Sequence, residues 1–322
     1  MKNVAVTGAS GLLGQRLLER LVGDPEVERV IVLDVRRPGV ASPKISYMEK
    51  DVSVPFDGLF QEFSIDAAYH LAFILNPIHD RNRMRAVNLG GTRNFLASCE
   101  KAGVKDILVV SSGTAYGAHA DNPALLTEDC PIRANTDFSY VADKGEMERI
   151  AQDWGKKHPD VNYCIARPTV VLGPRVNNFI SRSFIRKSFY KIRGYNPPLQ
   201  FVHEEDVAEI FYLLLKNHKK GAYNVAADGT LTMLEVAAKV HGKVLDYPKW
   251  ILMTLGKLGW WFHMNFLTEA DPGVLAFVQH PWVLDNSKVK RELGFSYRFT
   301  AEQALDAAIQ AQQSQQPVGA KA

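Results

Sequence analysis

Cysteine is scarce in this chain and poorly spaced for chemistry. Cys99, Cys130 and Cys164 are odd in number, far apart, and lack CxxC or Cys/His spacing. That pattern excludes a disulfide framework and a zinc site and leaves reduced thiols; no metal site is expected. Runs of like charge are also missing, and a formal charge of +3 over 322 residues gives no electrostatic footprint for nucleic acid. Nucleic-acid binding is not expected. Nor is there an unbroken apolar run long enough for a membrane span. The nearest approach, Trp250 to Leu267, is interrupted by Lys257, His263 and Asn265 and follows Pro248, a helix starter. It reads first as a core or pocket-wall helix, with membrane-surface contact the lesser alternative. The opening residues, MKNVAVTGAS, carry one lysine and run straight into a glycine-rich turn, so no signal peptide and a cytoplasmic location are expected.

What is present is an ordinary globular composition, 46% hydrophobic and 23% charged, sufficient for a sizeable core. Short β-branched runs alternate with stretches of helical period, which predicts βαβ units and a parallel sheet. Strands are expected at Asn3 to Thr7, Arg29 to Asp34, Ile45 to Glu49, Ala67 to Ala72, Ile107 to Ser111 and Asn162 to Arg167. Leu13, Leu17, Leu18 and Leu21 recur at helical spacing between the first two, and long helices are expected at Asp80 to Ala102 and Thr136 to His158. Beyond Gly173 the pattern loosens, with helices predicted at Asp206 to Lys216, Met233 to His241, Trp250 to Phe262, Ser287 to Glu292 and Ala301 to Gln312. The expected architecture is α/β: a Rossmann doubly wound parallel sheet over residues 1–173, with contributions from about 200–225, and a smaller substrate-binding lobe over 174–313. The composition of 314–322 suggests a disordered tail.

Directly after the first expected strand comes Thr7-Gly8-Ala9-Ser10-Gly11-Leu12-Leu13-Gly14, a TGxxGxxG turn opening a helix. A strand before and a helix after are the context the dinucleotide fingerprint requires. Gly8 permits the tight turn, Gly11 lets the backbone of Ser10, Leu12 and Leu13 approach a pyrophosphate, and Gly14 allows close packing of helix on strand. The helix N-terminus offers its free N–H groups to the phosphates. Asp34, twenty residues beyond Gly14, ends the second strand where an acid accepts hydrogen bonds from ribose hydroxyls. This favours NAD over NADP, a preference that Arg36 and Arg37 qualify. Asp51 and Val52 are expected near the adenine, and Leu71, Ala72 and Phe73, after His70, beside the cofactor.

Tyr140 and Lys144 stand at i and i+4 in a segment of helical character and so project from one face. A phenol with a solution pKa of about 10 needs a neighbouring cation to act as a base at neutral pH. Ser111, Ser112 and Thr114 follow a strand, which puts their hydroxyls at the carboxyl end of the sheet, where open α/β folds build their sites. TGASGLLG, Asp34, SSGTAYG, YVADK and RPTVVLGP, in that order over roughly residues 1 to 210, resemble the extended short-chain dehydrogenase/reductases, the NAD-dependent epimerase/dehydratase family. The resemblance implies Tyr140 as acid/base, Lys144 as its partner and ribose anchor, and Ser112 as the third catalytic hydroxyl. It also implies Asn88 near the cofactor, and Arg167, Pro168 and Val170 beneath the nicotinamide. For His203 a helix-start hydrogen bond is expected ahead of direct catalysis.

The reaction common to that family is proton abstraction from a substrate hydroxyl by the tyrosine while hydride passes to NAD. Gly113-Thr114 stands where the family's dehydratases carry Asp-Glu, which counts against dehydration. An epimerase-like reaction on a nucleotide sugar is expected, with Thr114, Asn178 and Arg182 as substrate contacts, although Asn177, Asn178, Arg182 and Arg186 equally suit an exposed helix face. The alternative is a dehydrogenase or reductase of a hydrophobic alcohol or ketone, suggested by RPxxVxGP and Trp260-Trp261-Phe262. A silent NAD(H) sensor is a third reading, against which Tyr140, Lys144 and Ser112 argue. By resemblance the helices from Asp80 and Thr136 would pair across a two-fold axis, so a homodimer is expected.

Overall fold

Strand β1 (Asn3–Thr7) lies between β2 (Arg29–Asp34) and β4 (Ala67–His70), with β3 (Ile45–Glu49) outside β2. On the other side β4 is followed by β5 (Asp106–Val110), β6 (Asn162–Pro168) and an edge strand, Gly221–Val225, closing a seven-stranded sheet. Every pairing in it is parallel. The computed structural model describes residues 1–264 and 268–315. Val4, Ala5 and Val6 of β1 and Val30 to Leu33 of β2 are fully buried, as strands covered by helices on both faces must be. Connectivity reverses at β1, and that reversal opens a crevice beyond the carboxyl ends of β1 and β4.

One face of the sheet is covered by α1 (Leu12–Gly23) and by helix Glu204–Lys216. Leu17, Leu18 and Leu21 of α1 pack with Val207, Phe211 and Leu214 in one core cluster. Along their half-buried seam Arg20 pairs with Glu205 at 2.8 Å and Glu209 at 2.9 Å. The opposite face buries Phe95, Leu96 and Cys99 from helix Gly91–Ala102 and Met147 and Ala151 from helix Ser139–Lys157. The expected helix from Asp80 forms as one run, capped by Asp80, with a π-helical turn at Ala86–Gly90 between its α-helical parts. A separate cluster holds the C-terminal lobe together, with Phe184, Phe189, Phe201, Val236 and Leu305 at its centre.

β1, β2 and β3 have the expected bounds, and β4 stops at His70, short of the expected Ala72. Helix Lys249–Trp261 forms, but it lies outside the core. Gly259 is its only buried residue, while Trp250, Trp261 and Phe262 are 69%, 79% and 65% exposed. Helix Ala301–Gln315 continues through Ser314, where a disordered tail was expected to begin, because AEQALDAAIQAQQSQ has no helix breaker. The rest of that expected tail, 316–322, lies outside the described residues, as do residues 265–267 of the apolar stretch.

A Cβ on Gly14 would lie 2.5 Å from Ala9 Cα and 2.6 Å from Gly8 O, both backbone atoms that can move only by opening the turn. Gly14→Ala is expected to lower the unfolding free energy by about 1–3 kcal/mol. Gly23→Ala, where an added Cβ meets nothing within 4 Å, is expected to raise it by up to about 1 kcal/mol. Urea unfolding midpoints check both, and a Gly14→Ala midpoint equal to that of the unaltered protein would refute the tight packing.

Candidate active site

The glycine turn presses against the segment that follows β4. Gly8 has φ +74°, and a Cβ there would sit 2.4 Å from Ala72 N, so only glycine fits on both counts. Gly11 is the N-cap of α1 and provides no side-chain cap, which leaves the first N–H groups of the helix facing outward. A cavity of about 410 Å³ begins there, floored by Gly8, Ser10, Gly11, Leu12, Leu13 and Gly14. It continues past Leu71 and Phe73 to Ser112, Tyr140 and Lys144, with Pro168 and Val170 along one wall.

Asp34 sits beside the turn, accepting from Ser10 N at 2.8 Å and Arg36 N at 3.1 Å. Its carboxylate shapes the turn and does not itself line the cavity. Arg36 itself lines the cavity. Several expected cofactor contacts lie elsewhere. Asp51 is engaged by Arg83 and Ser53, and Val52 packs in the core against Gly91, so neither lines the cavity. Ala72 is covered by Gly8. Asn88 is fully buried: its Oδ1 accepts from Ile74 N at 2.7 Å and its Nδ2 donates to Asp143 Oδ2 at 3.0 Å, which holds the loop after β4 in position.

Tyr140, Lys144 and Glu148 follow one another at four-residue intervals on the inner face of helix Ser139–Lys157, and all three are buried. Lys144 Nζ donates to Val110 O at 2.8 Å and lies 3.6 Å from the centre of the Phe73 ring. Burial pulls its pKa down to about 7, with Glu148 acting the other way. Burial raises the pKa of Tyr140, against which the Ser112 and Thr114 hydroxyls work. Ser112 Oγ accepts from Thr114 N and from Thr114 Oγ1, at 3.2 and 2.9 Å. The candidate catalytic side chains therefore converge on one end of the cavity.

Beneath them lies a layer of buried charge. Arg167 does not reach the cavity; its Nε donates to Glu148 Oε1 at 2.8 Å and its Nη1 to Tyr116 OH and Glu128 O, the carboxylate drawing the guanidinium inward. Ser111 lines the cavity, but its hydroxyl donates to Glu148 Oε2. His70, fully buried between Thr7 and Thr92, has its pKa lowered to about 3 by burial and remains neutral. His203 accepts from Glu205 N at 3.2 Å as the N-cap of its helix, as expected.

A second cavity, about 310 Å³, opens on the far side of Tyr140 and shares Thr114, Tyr140, Val170, Ile180 and Trp282 with the first. Its walls are aromatic, from Phe138, Phe179, Phe184, Phe189 and Phe277. None of these five was expected from the sequence; for three of them the reason is local, since Phe179–Phe184 is a six-residue helix and Phe277 lies in a 3-10 turn, Pro272–Val278, neither long enough to show a period. The expected substrate contacts fare unevenly. Thr114 lines both cavities. Asn178 reaches the edge of the first but spends its Oδ1 capping Ile180 N and Ser181 N, both at 2.9 Å. Arg182 lines neither; it pairs with Glu269, and Arg186 is the arginine in the apolar cavity.

Among known proteins, the chain is 30% identical over 276 residues to the N-acetyl-alpha-D-glucosaminyl-diphospho-ditrans,octacis-undecaprenol 4-epimerase of Escherichia coli O157:H7, covering 80% of this chain and 77% of that one. It is 25% identical over 316 residues to an uncharacterized protein of Mycobacterium tuberculosis, covering 95% and 82% of the two chains. Among solved structures, the UDP-glucose 4-epimerase of Thermus thermophilus in complex with NAD superposes with a TM-score of 0.75 at 21% identity, over 98% of this chain and 100% of that one. The dTDP-glucose 4,6-dehydratase of Bacillus anthracis, also in complex with NAD, gives 0.74 at 15% identity over 98% of each chain. The model of one family runs over residues 4–226, from β1 through the edge strand Gly221–Val225, and by that match the chain belongs to the NAD dependent epimerase/dehydratase family.

Proposed function

We propose that this chain binds NAD in the glycine-turn cavity and oxidises a substrate carbinol carbon, with Tyr140 as acid/base and Lys144 and Ser112 as its partners. The observation that carries this reading is that Tyr140 lines both cavities, so a substrate in one meets a cofactor in the other across its hydroxyl. The first cavity suits a dinucleotide: its floor is an uncapped helix N-terminus, and glycine at Gly8 and Gly14 lets the turn close against the backbone of Ala72 and Ala9. Bound there, NAD would take up the hydride that leaves the carbinol carbon. Tyr140 takes the hydroxyl proton of the same carbon. Ser112 Oγ offers a hydrogen bond to the oxygen as it becomes a carbonyl. Lys144, one helical turn away, favours the phenolate over the phenol when protonated and so lowers the cost of that proton transfer.

The relatives named as 4-epimerases of diphosphate-linked sugars support an epimerase-type reaction, in which the hydride returns to the carbon it left and no net redox change remains. The aromatic lining of the second cavity favours a second reading, a dehydrogenase or reductase of an apolar alcohol or ketone. A sugar carried on an apolar chain, as the name of the Escherichia coli relative describes, satisfies both observations.

Quantifying the nicotinamide nucleotide released on denaturing freshly purified protein separates the two readings. Near-stoichiometric NAD is the expected result for an epimerase, which never exchanges its cofactor, whereas an empty site that binds NAD reversibly would sink that reading in favour of the dehydrogenase. Tyr140→Phe is expected to lower turnover by about 10²–10⁴-fold while leaving NAD affinity unchanged; full turnover in this variant would remove Tyr140 from the chemistry. Lys144 also makes stability depend on pH. Its pKa falls from 10.5 to about 7 on folding, so between those values the unfolded chain binds the extra proton and stability rises with pH. Lys144→Met is expected to be more stable at pH 7 and to show a smaller rise toward pH 10; equal slopes in denaturant titrations would contradict the buried lysine.

A further inference from the structure

We infer that helix Lys249–Trp261 is a docking face for an anionic lipid surface, on which it lies flat without crossing. The helix presents Trp250, Leu255, Leu258 and Trp261 outward, with Phe262 just beyond its end. Trp250, Thr254, Leu258 and Trp261 recur at intervals of one helical turn, so the exposed apolar groups form one stripe rather than a scatter. Indole rings stand at both ends of that stripe, the side chain that settles best where headgroups meet acyl chains. No described helix is long and apolar enough to cross a membrane, which leaves contact from one side.

Charge selects the occupant. Lys249 and Lys257 are the only charged residues of the helix, and it contains no carboxylate. The nearest carboxylate in sequence, Asp246, is already taken by Lys191 and Arg193. Lysines beside an apolar stripe can extend their ammonium groups to lipid phosphates while their stems stay with the acyl chains. A second copy of this chain, meeting the helix across a two-fold axis, would bring lysine toward lysine with no acid in either helix.

The body of the protein holds the helix in this attitude. Gly256 lies close against Pro272, and Trp260 stacks on His79 at 4.1 Å, so the opposite face is the one left outward. Pro272 opens the turn Pro272–Val278, whose Val274, Leu275, Phe277 and Val278 wall the apolar cavity. A lipid surface on the helix would thus lie just outside that wall. The docking is independent of the chemistry at Tyr140, and its failure would leave the proposed reaction standing.

Flotation of the full-length protein with vesicles of phosphatidylcholine alone or mixed with phosphatidylglycerol tests the inference. The expected result is binding to the mixed vesicles, weakened by salt, and at least about tenfold weaker for a Trp250→Ala, Trp261→Ala, Phe262→Ala variant. Lys249→Gln with Lys257→Gln is expected to lose the preference for phosphatidylglycerol. Should the triple variant misfold by circular dichroism, quenching of the natural protein's tryptophan fluorescence by brominated acyl chains gives the same answer, with quenching expected. No binding to either vesicle, unaltered binding by a folded triple variant, absence of quenching, or an oligomer in lipid-free solution that the triple variant abolishes would each overturn the inference.

Discussion

The Glu148 carboxylate ties together the three elements on which the candidate site is built. It sits on helix Ser139–Lys157, accepts from Arg167 at the end of β6 and from Ser111 just past β5, and is itself fully buried. Taking a carboxylate and a guanidinium out of water is costly unless each is paired and hydrogen-bonded, and removing either partner strands the other. The pair therefore resists any slide of the helix along the sheet, which would separate Lys144 from Val110 O and Tyr140 from Ser112. Arg167 extends the same restraint through Tyr116 to Asn224 in the edge strand, whose Oδ1 accepts from the Tyr116 hydroxyl at 2.9 Å. Order in the cavity above is thus inherited from charge below it.

Much of this was legible in the sequence where the signal is local. β1 to β3 could be bounded to the residue because each is a short apolar run between turn formers, and Tyr140 with Lys144 needs only the helical period to share a face. The glycine turn could be read because steric demands act within a few residues. What could not be read depends on pairings between distant segments. Nothing near Asp51 announces that Arg83 will claim it, nothing near Arg182 announces Glu269, and the inward turn of Arg167 follows from a glutamate on another element. The edge strand Gly221–Val225 escaped for a different reason: GAYNV opens on glycine and carries a buried asparagine, a composition more typical of a loop.

The two cavities illustrate the division of labour that such a fold allows. The first has its floor in the glycine turn and the sheet's carboxyl edge, elements whose geometry is set by backbone hydrogen bonds. The second is made by short C-terminal pieces whose contribution is side-chain volume. Changing Phe184, Phe189 or Phe277, which line only the latter, alters what fits there without touching the lining of the former. Tyr140, shared by both, is held from the sheet side, so its position does not depend on the occupant of the aromatic cavity.

The π-helical turn at Ala86–Gly90 has a consequence for how this chain is aligned with others. Such a turn contains one residue more than an α-turn, so everything before it is rotated by about 100° around the helix axis relative to an unbroken α-helix. Arg81 and Arg85, both upstream of the turn, and Asn88, within it, all reach Asp143 on the neighbouring helix. A relative lacking the extra residue would present a different set of side chains to Asp143. A correct alignment would then carry a one-residue gap inside what looks, from sequence, like a continuous helix.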